Sequence, residues 1–409
     1  MVPVDVIPMI GRPVARNRRP RGPGWLRHRL PEPLRWGPGD ETRLTAPSPA
    51  AIGQLADEIR HARRPVVILG LDLDPATAPG PVRALVERLG APVFVTPKAK
   101  GILPEDHPLY CGVCAGVSAD PVIVDFFGRA DLLVGIGFDP VESDKLWHQT
   151  MKLVSLAPVS IAAGAFRPHL DVVGDLTPGI TALDAALRAA GVEPFAWREG
   201  ELAAHRQRMH EALHPSLEPS AGLRPSLVTE RLRDACPRET IMTTDVGAVK
   251  FVVSQVWRTF EPRTFFESNG LSSMSYGLPA AMAAKLLFPE RPVVCTIGDG
   301  GLGMTMAELE TCVRLRLNVI TVVFNDDWLN LIRVVQENRG YPDYAVGYRP
   351  IDFADVARAH GARGQRVASL QELDDAIAAA LAHEGPSVID VPIDPREYRA
   401  HLATPTPSP

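Results

Sequence analysis

At 409 residues, with 45% hydrophobic and 22% charged side chains, the chain has the composition of a two-domain globular protein, which excludes disordered and fibrous classes. Its net charge of -5 leaves no footprint for nucleic acid, and no apolar run reaches the roughly 18 residues of a membrane span. Cys111, Cys114, Cys236, Cys295 and Cys312 are scattered and odd in number, which speaks against a disulfide framework and for a reducing cytoplasm.

The short apolar start Val2–Ile10 contains Asp5 and is followed by its arginines, the wrong order for a secretory signal. From Arg12 to Gly39 the sequence is dense in Pro, Gly and Arg, so residues 1–48 read as an arm or linker that buries no core. Its arginines serve either a solvated connector or a docking surface for an acidic partner chain.

From Pro49 the pattern alternates. Helical segments Ile52–Ala62 and Val82–Leu89 flank the strand Val66–Gly70 and precede Val93–Val95. Ala130–Gly137 is a further buried strand, and Val172–Asp175 closes the sheet. Short β-branched runs between amphipathic helices indicate a parallel sheet covered on both faces, a middle domain over 49–190. Residues 191–222, with Trp197, Glu199, Glu201, His205 and Arg206 in a polar setting, read as a helical connector. A second α/β domain follows over 223–395, with strands at Thr240–Thr243, Val293–Ile297, Val319–Phe324 and Ser387–Val391, then a tail over 396–409. The expected fold class is α/β: two doubly wound, mostly parallel-sheet domains with two separate cores.

The chemistry concentrates in residues 298–327. Gly298-Asp299-Gly300-Gly301 follows one apolar strand, and Asn325-Asp326-Asp327 follows the next. Parallel strands joined by a helical crossover bring those ends side by side at the edge where α/β sheets hold ligands. Thr305-Met306-Ala307-Glu308 has the form of a capping box and is expected to open the crossover helix. Free amides there attract phosphate, glycines let the backbone approach it, and a carboxylate with an amide oxygen forms the all-oxygen set that Mg²⁺ prefers. The residues therefore read as a Mg²⁺–diphosphate site, although Gly-Asp-Gly alone also serves as an ordinary strand-to-helix turn.

This spacing resembles the signature of thiamine diphosphate enzymes, and its surroundings resemble their acetolactate synthase-like branch. The resemblance implies cofactor contacts from Asp245, Gly247, Ser272, Met274, Gly298, Asp299, Gly300, Gly301 and Asn325, with Met274 as the wedge that bends the cofactor. It implies metal ligation by Asp299, Asn325 and the main-chain oxygen of Asp327, and it places Trp328, Leu329 and Gln336 toward the substrate. Where many relatives place a Gln-His or Ala-His pair after the first diphosphate loop, this chain has Ala248-Val249, a departure from the family's side-chain contacts to the diphosphate.

Val95–Pro108 resembles the family's middle domain, and Val2–Pro8 resembles the last strand of its pyrimidine-binding domain. The glutamate that activates the cofactor resides on that domain in the family, and neither Glu32 nor Glu41 has a matching context, so the catalytic residue is unknown here. The expectation is a split enzyme: a cytoplasmic subunit using thiamine diphosphate and Mg²⁺ to decarboxylate a small 2-oxoacid. A separate pyrimidine-domain chain would complete a hetero-oligomer, for instance with two of each chain. The alternative is a cofactor-binding or regulatory subunit without turnover. FAD is not established by any residue pattern. Cys111-Gly112-Val113-Cys114 has no second pair for zinc, Gly135–Pro140 lacks the third glycine of a dinucleotide loop, and His107 reads as a surface or interdomain residue.

Overall fold

The computed structural model describes residues 44–73, 79–114, 119–140, 151–162, 167–195, 197–218, 220 and 222–402. The expected strand Val2–Pro8, most of the Pro/Arg-rich arm with Glu32 and Glu41, and the end of the tail lie outside the described residues.

The first sheet contains β1 (Pro65–Leu69), β2 (Val93–Val95), β3 (Tyr110–Val113), β4 (Leu132–Ile136), β5 (Leu153–Ala157) and β6 (Leu170–Val173). Its order is β3-β2-β1-β4-β5-β6, and every pairing is parallel. β1 and β4 are buried along their whole length, as strands covered on both faces must be. The helix Pro49–His61 starts where Ser48 accepts the Ala51 amide at 3.1 Å and Pro49 needs no donor partner. It buries Ile52, Leu55, Ala56 and Ile59.

The second sheet contains β7 (Ile241–Thr244), β8 (Phe265–Glu267), β9 (Val293–Gly298), β10 (Val319–Asn325), β11 (Arg363–Arg366) and β12 (Ser387–Pro392). Its order is β11-β12-β10-β9-β7-β8, again all parallel. Both domains are therefore doubly wound α/β units. Strands β3, β5, β8 and β11 are additions to the sequence reading. Two of them, β8 and β11, are short edge strands, one only three residues long and the other almost wholly polar.

Two expectations change. The cores are not separate, because one apolar cluster runs from Phe94, Phe126 and Phe127 through Leu202 and Met209 to Val252 and Trp257 of the second domain. The connector helix Glu199–Leu213 is the bridge: Trp197 stacks on Phe126 at 4.9 Å, and His205 is buried with Nε2 2.9 Å from the Cys111 carbonyl. Its polar composition conceals an apolar stripe. The Thr305–Glu308 stretch, moreover, caps no helix start. The glycine run is itself helical over Asp299–Thr305, Thr305 donates back to the Gly301 carbonyl at 3.2 Å, and a second helix, Glu308–Arg314, has Ala307 at its N-cap.

Polar contacts also dock the domains. Lys100 and Glu105 form a buried pair at 2.6 Å, and Lys100 Nζ donates to the Ser254 carbonyl at 3.0 Å. Gln255 donates to the Val113 carbonyl at 3.1 Å. Gly101, at φ 83°, has no space for a side chain, since a Cβ would lie 2.1 Å from the Glu261 carbonyl oxygen. Among the described residues, no helix is long and apolar enough to cross a membrane.

Candidate functional site

The second sheet reverses its winding between β7 and β9, since the chain leaves β7 for β8 on one side and later adds β9 on the other. Loops after those strands part, and the crevice between them is where a doubly wound sheet accepts a ligand. A cavity of about 330 Å³ occupies this place. It is lined by Val246–Val249 after β7, by Gly298–Gly301 after β9, and by Asp326 and Trp328–Ile332 beyond β10. Ser272 and Met274 close one wall and Tyr398 another. The volume falls within the roughly 300–1,000 Å³ of small-molecule sites.

Asp299 is the centre of the polar network. Its Oδ1 accepts the Gly300 amide at 2.6 Å and the Tyr348 hydroxyl, while Oδ2 accepts the amides of Asp326 at 3.0 Å and Asp327 at 2.6 Å. The ends of β9 and β10 are thereby tied through one carboxylate. Burial raises the Asp299 carboxyl above its ordinary range despite these donors. Asp326 is raised by burial first and by the Asp299 charge second. Two buried carboxyls that disfavour each other's charge call for a cation. The Asp327 backbone sits at φ 63°, and its carbonyl accepts the Tyr348 amide at 3.1 Å.

Asn325, the last residue of β10, donates through Nδ2 to Asp390 Oδ1 and to the Ile351 carbonyl, both at 2.9 Å. Two acceptors at one end identify that end as nitrogen, which leaves the amide oxygen pointing away from both. Asp390 lies on β12 and is completely buried. Its other oxygen accepts the Phe353 amide at 3.1 Å and the Arg366 guanidinium. Burial still raises its carboxyl, with Asn325 and Arg366 pulling the other way. Sequence reading missed Asp390, Arg366, Tyr348 and Asp326. The available signal was the single carboxylate inside the apolar run Ser387-Val388-Ile389-Asp390-Val391.

Gly247, Ser272, Met274, Gly298, Asp299, Gly300, Gly301, Trp328 and Leu329 all line the cavity. Gly300 lies beneath Leu329, Tyr348 and Met274, whose atoms would be 2.8, 3.2 and 3.3 Å from an added Cβ. Asp245 does not reach the cavity. Its carboxylate accepts the amides of Ser275 at 3.0 Å, Tyr276 at 2.7 Å and Gly277 at 3.2 Å, which anchors the Ser272–Met274 wall to the end of β7. Gln336 also faces away, exchanging hydrogen bonds with the Tyr344 backbone at 3.1 and 3.3 Å.

Two family models match the chain: the central domain of thiamine pyrophosphate enzymes over residues 52–183, and their C-terminal TPP binding domain over residues 245–391. The chain belongs to the thiamine pyrophosphate enzymes. Among similar proteins of this family, an acetolactate synthase of Bacillus subtilis is 32% identical over 84% of this chain and 61% of its own length. A catabolic acetolactate synthase of Raoultella terrigena is 27% identical over 87% of this chain and 64% of its own length. A probable 2-ketoarginine decarboxylase of Pseudomonas aeruginosa is 29% identical over 84% and 61%. The chain thus spans about three fifths of the length of these thiamine pyrophosphate enzymes.

The other motifs have packing explanations. None of the five cysteines is in a disulfide and all are buried, and burial pushes the Cys111 thiol up to about 12, away from the reactive thiolate form. Around Gly135–Pro140, glycines serve packing, since a Cβ on Gly70 would lie 2.4 Å from Phe138 Cα and one on Gly137 would lie 2.7 Å from the Leu73 nitrogen. His107 is partly exposed, 3.7 Å from Glu87.

Proposed function

We propose that this chain supplies the Mg²⁺–diphosphate half of a thiamine diphosphate-dependent 2-oxoacid decarboxylase or carboligase. The observation that carries the reading is the joining of two strand ends by Asp299 beside the oriented amide of Asn325. Asp299, Asn325 and the Asp327 carbonyl offer only oxygen donors, the chemistry of Mg²⁺. The Gly298–Gly301 run and Gly247–Ala248 line the cavity and bring backbone close enough to donate to phosphate, with the Gly300 amide already held by Asp299. Met274, against Gly300, supports the cofactor between its two rings. The bound cofactor supplies the nucleophilic carbon and the electron sink for releasing a carboxylate as CO₂. The protein's own contribution here is to anchor the diphosphate, hold the metal ligands and exclude water. Leu329 and Trp328 line the substrate side of the cavity, and Asp245 acts as a positioning residue for its wall.

The activating pyrimidine-domain surface is assigned to a separate polypeptide in a hetero-oligomer. Support comes from exposed apolar side chains: Ile332, which lines the cavity, is 52% exposed, and Leu271 and Met304, in the segments that carry the lining residues Ser272 and Gly301, are 96% and 66% exposed. Unpartnered groups of this size beside a ligand site favour a covering chain. Cofactor binding to the isolated chain, followed by tryptophan fluorescence with and without Mg²⁺, tests the site. CO₂ release from pyruvate by the chain alone, by a pyrimidine-domain chain alone and by both together tests the division of labour. Mg²⁺-dependent binding with turnover only in the mixture is expected. Full activity of the isolated chain would refute the partner, and Mg²⁺-independent binding would refute the site. Binding without turnover in any mixture would leave a non-catalytic subunit.

A further inference from the structure

Apart from the Asp299 centre and sharing no residue with it, His210, His214 and Glu230 bring three potential ligand atoms within 4.8 Å of one another. The first two come from the connector: His210 is in the last turn of the helix Glu199–Leu213, and His214 is its C-cap residue. Their separation of one turn stacks the rings on one face, with centroids 4.1 Å apart. Glu230 comes from the first helix of the second domain, Pro225–Ala235.

The ring of His214 is oriented for a cation. Its Nδ1 is 2.9 Å from the His210 carbonyl, an oxygen that only accepts, so Nδ1 carries a proton and, in the neutral ring, Nε2 presents its lone pair toward Glu230. This is the support that metal-bound histidines receive from a backbone carbonyl. Nε2 is buried and makes no hydrogen bond, although Glu230 Oε1 lies 3.0 Å away. The same separation suits an ion pair with a protonated ring, and a metal ion would take that proton's place between the two atoms. A lone pair facing a carboxylate without a cation between them is repulsive.

We propose that His210, His214 and Glu230 form a transition-metal site, of which Zn²⁺ is the best-fitting occupant, clamping the connector helix to the second domain. Tetrahedral Zn²⁺ with bonds of about 2.0–2.2 Å holds its ligand atoms about 3.3 Å apart. His210 is exposed and free to rotate inward, and water fills the fourth position. Two imidazoles and one carboxylate select zinc, nickel or copper, whereas the all-oxygen Asp299 centre selects Mg²⁺. The two centres therefore sort ions by ligand type.

The test uses the untagged full chain in excess Mg²⁺. Titration with Zn²⁺ by calorimetry and with Co²⁺ by visible absorption should show one ion per chain with the ligand-field bands of a four-coordinate site. Affinity should fall roughly tenfold or more in His214→Ala and in His210→Ala, the latter at an exposed position whose change leaves the fold intact. Asp299→Ala should retain the Zn²⁺ response, which separates this site from the cofactor centre. Absence of stoichiometric binding would overturn the proposal, and so would wild-type affinity in either histidine variant.

Discussion

Asn325 Nδ2 donates to Asp390 Oδ1 over 2.9 Å, from the end of one central strand to the middle of its neighbour. The pair is offset by two residues, since Asn325 lies opposite Pro392 and Val323 opposite Asp390, and Asp390 is itself held by Arg366 and the Phe353 amide. An amide with both hydrogens committed cannot flip, so its oxygen stays on one side.

Loss of that constraint should weaken the metal and leave the fold in place. Partners behind a metal ligand are typically worth about 10–100-fold in affinity, so Asp390→Asn is expected to raise the Mg²⁺ concentration needed for thiamine diphosphate binding by about that factor. A Mg²⁺ titration at fixed cofactor measures it. Unchanged Mg²⁺ dependence would show that the Asp390 contact does not orient the ligand.

The glycine run separates packing from ligand space. A Cβ on Gly301 would lie 2.0 Å from Asp245 Oδ2, whereas one on Gly298 meets nothing within 4 Å. Gly301→Ala should therefore drive Asp245 off its amides and cost about 1–3 kcal/mol of stability by overpacking. Gly298→Ala should keep the wild-type Tm and lose cofactor affinity, because its methyl enters the cavity. Thermal unfolding together with a binding titration on both variants decides the matter.

Lys100 and Glu105 test the joint between the domains. Both are nearly inaccessible, and removing one partner strands the other as a buried charge. Lys100→Met should cost about 3–5 kcal/mol. Lys100→Met with Glu105→Met should recover much of that, and urea denaturation of single and double variants reads the difference. Equal stability in the two would contradict the buried-pair account.

Asp72 predicts a pH dependence. Burial, with Asp139 as the smaller cause, raises its carboxyl to about 6, and its Oδ2 has no hydrogen-bond partner. A raised carboxyl pKa means that the group's contribution is fully present below about pH 4 and lost as pH rises through about 6. Asp72→Asn should abolish that loss and be more stable than wild type by about 1–2 kcal/mol at pH 7, allowing for solvent screening. Chemical denaturation across pH 4 to 7 should show the two curves converging at the acidic end. Parallel curves would remove Asp72 as the cause.

The sequence was legible wherever a local pattern carried the physics. Buried β-branched runs such as Val66–Leu69 and Val319–Phe324 announced central parallel strands, and Asp299 and Asn325 announced a site because each directly follows one of those strands. Patterns without a run were lost: Arg363–Arg366 is too polar to read as a strand, and the connector helix hides Leu202 and Met209 among charges.

By itself, then, the sequence determined the α/β class and the two strand ends that meet at the switch point, since both follow from periodicity and spacing along the chain. Only the tertiary structure decided that Asp245 supports a wall, that Asp390 and Arg366 orient Asn325, and that His210, His214 and Glu230 converge. Those relationships join residues far apart in sequence across β12, the glycine loop and the domain joint. Their free energy depends on burial and alignment, which no local pattern encodes.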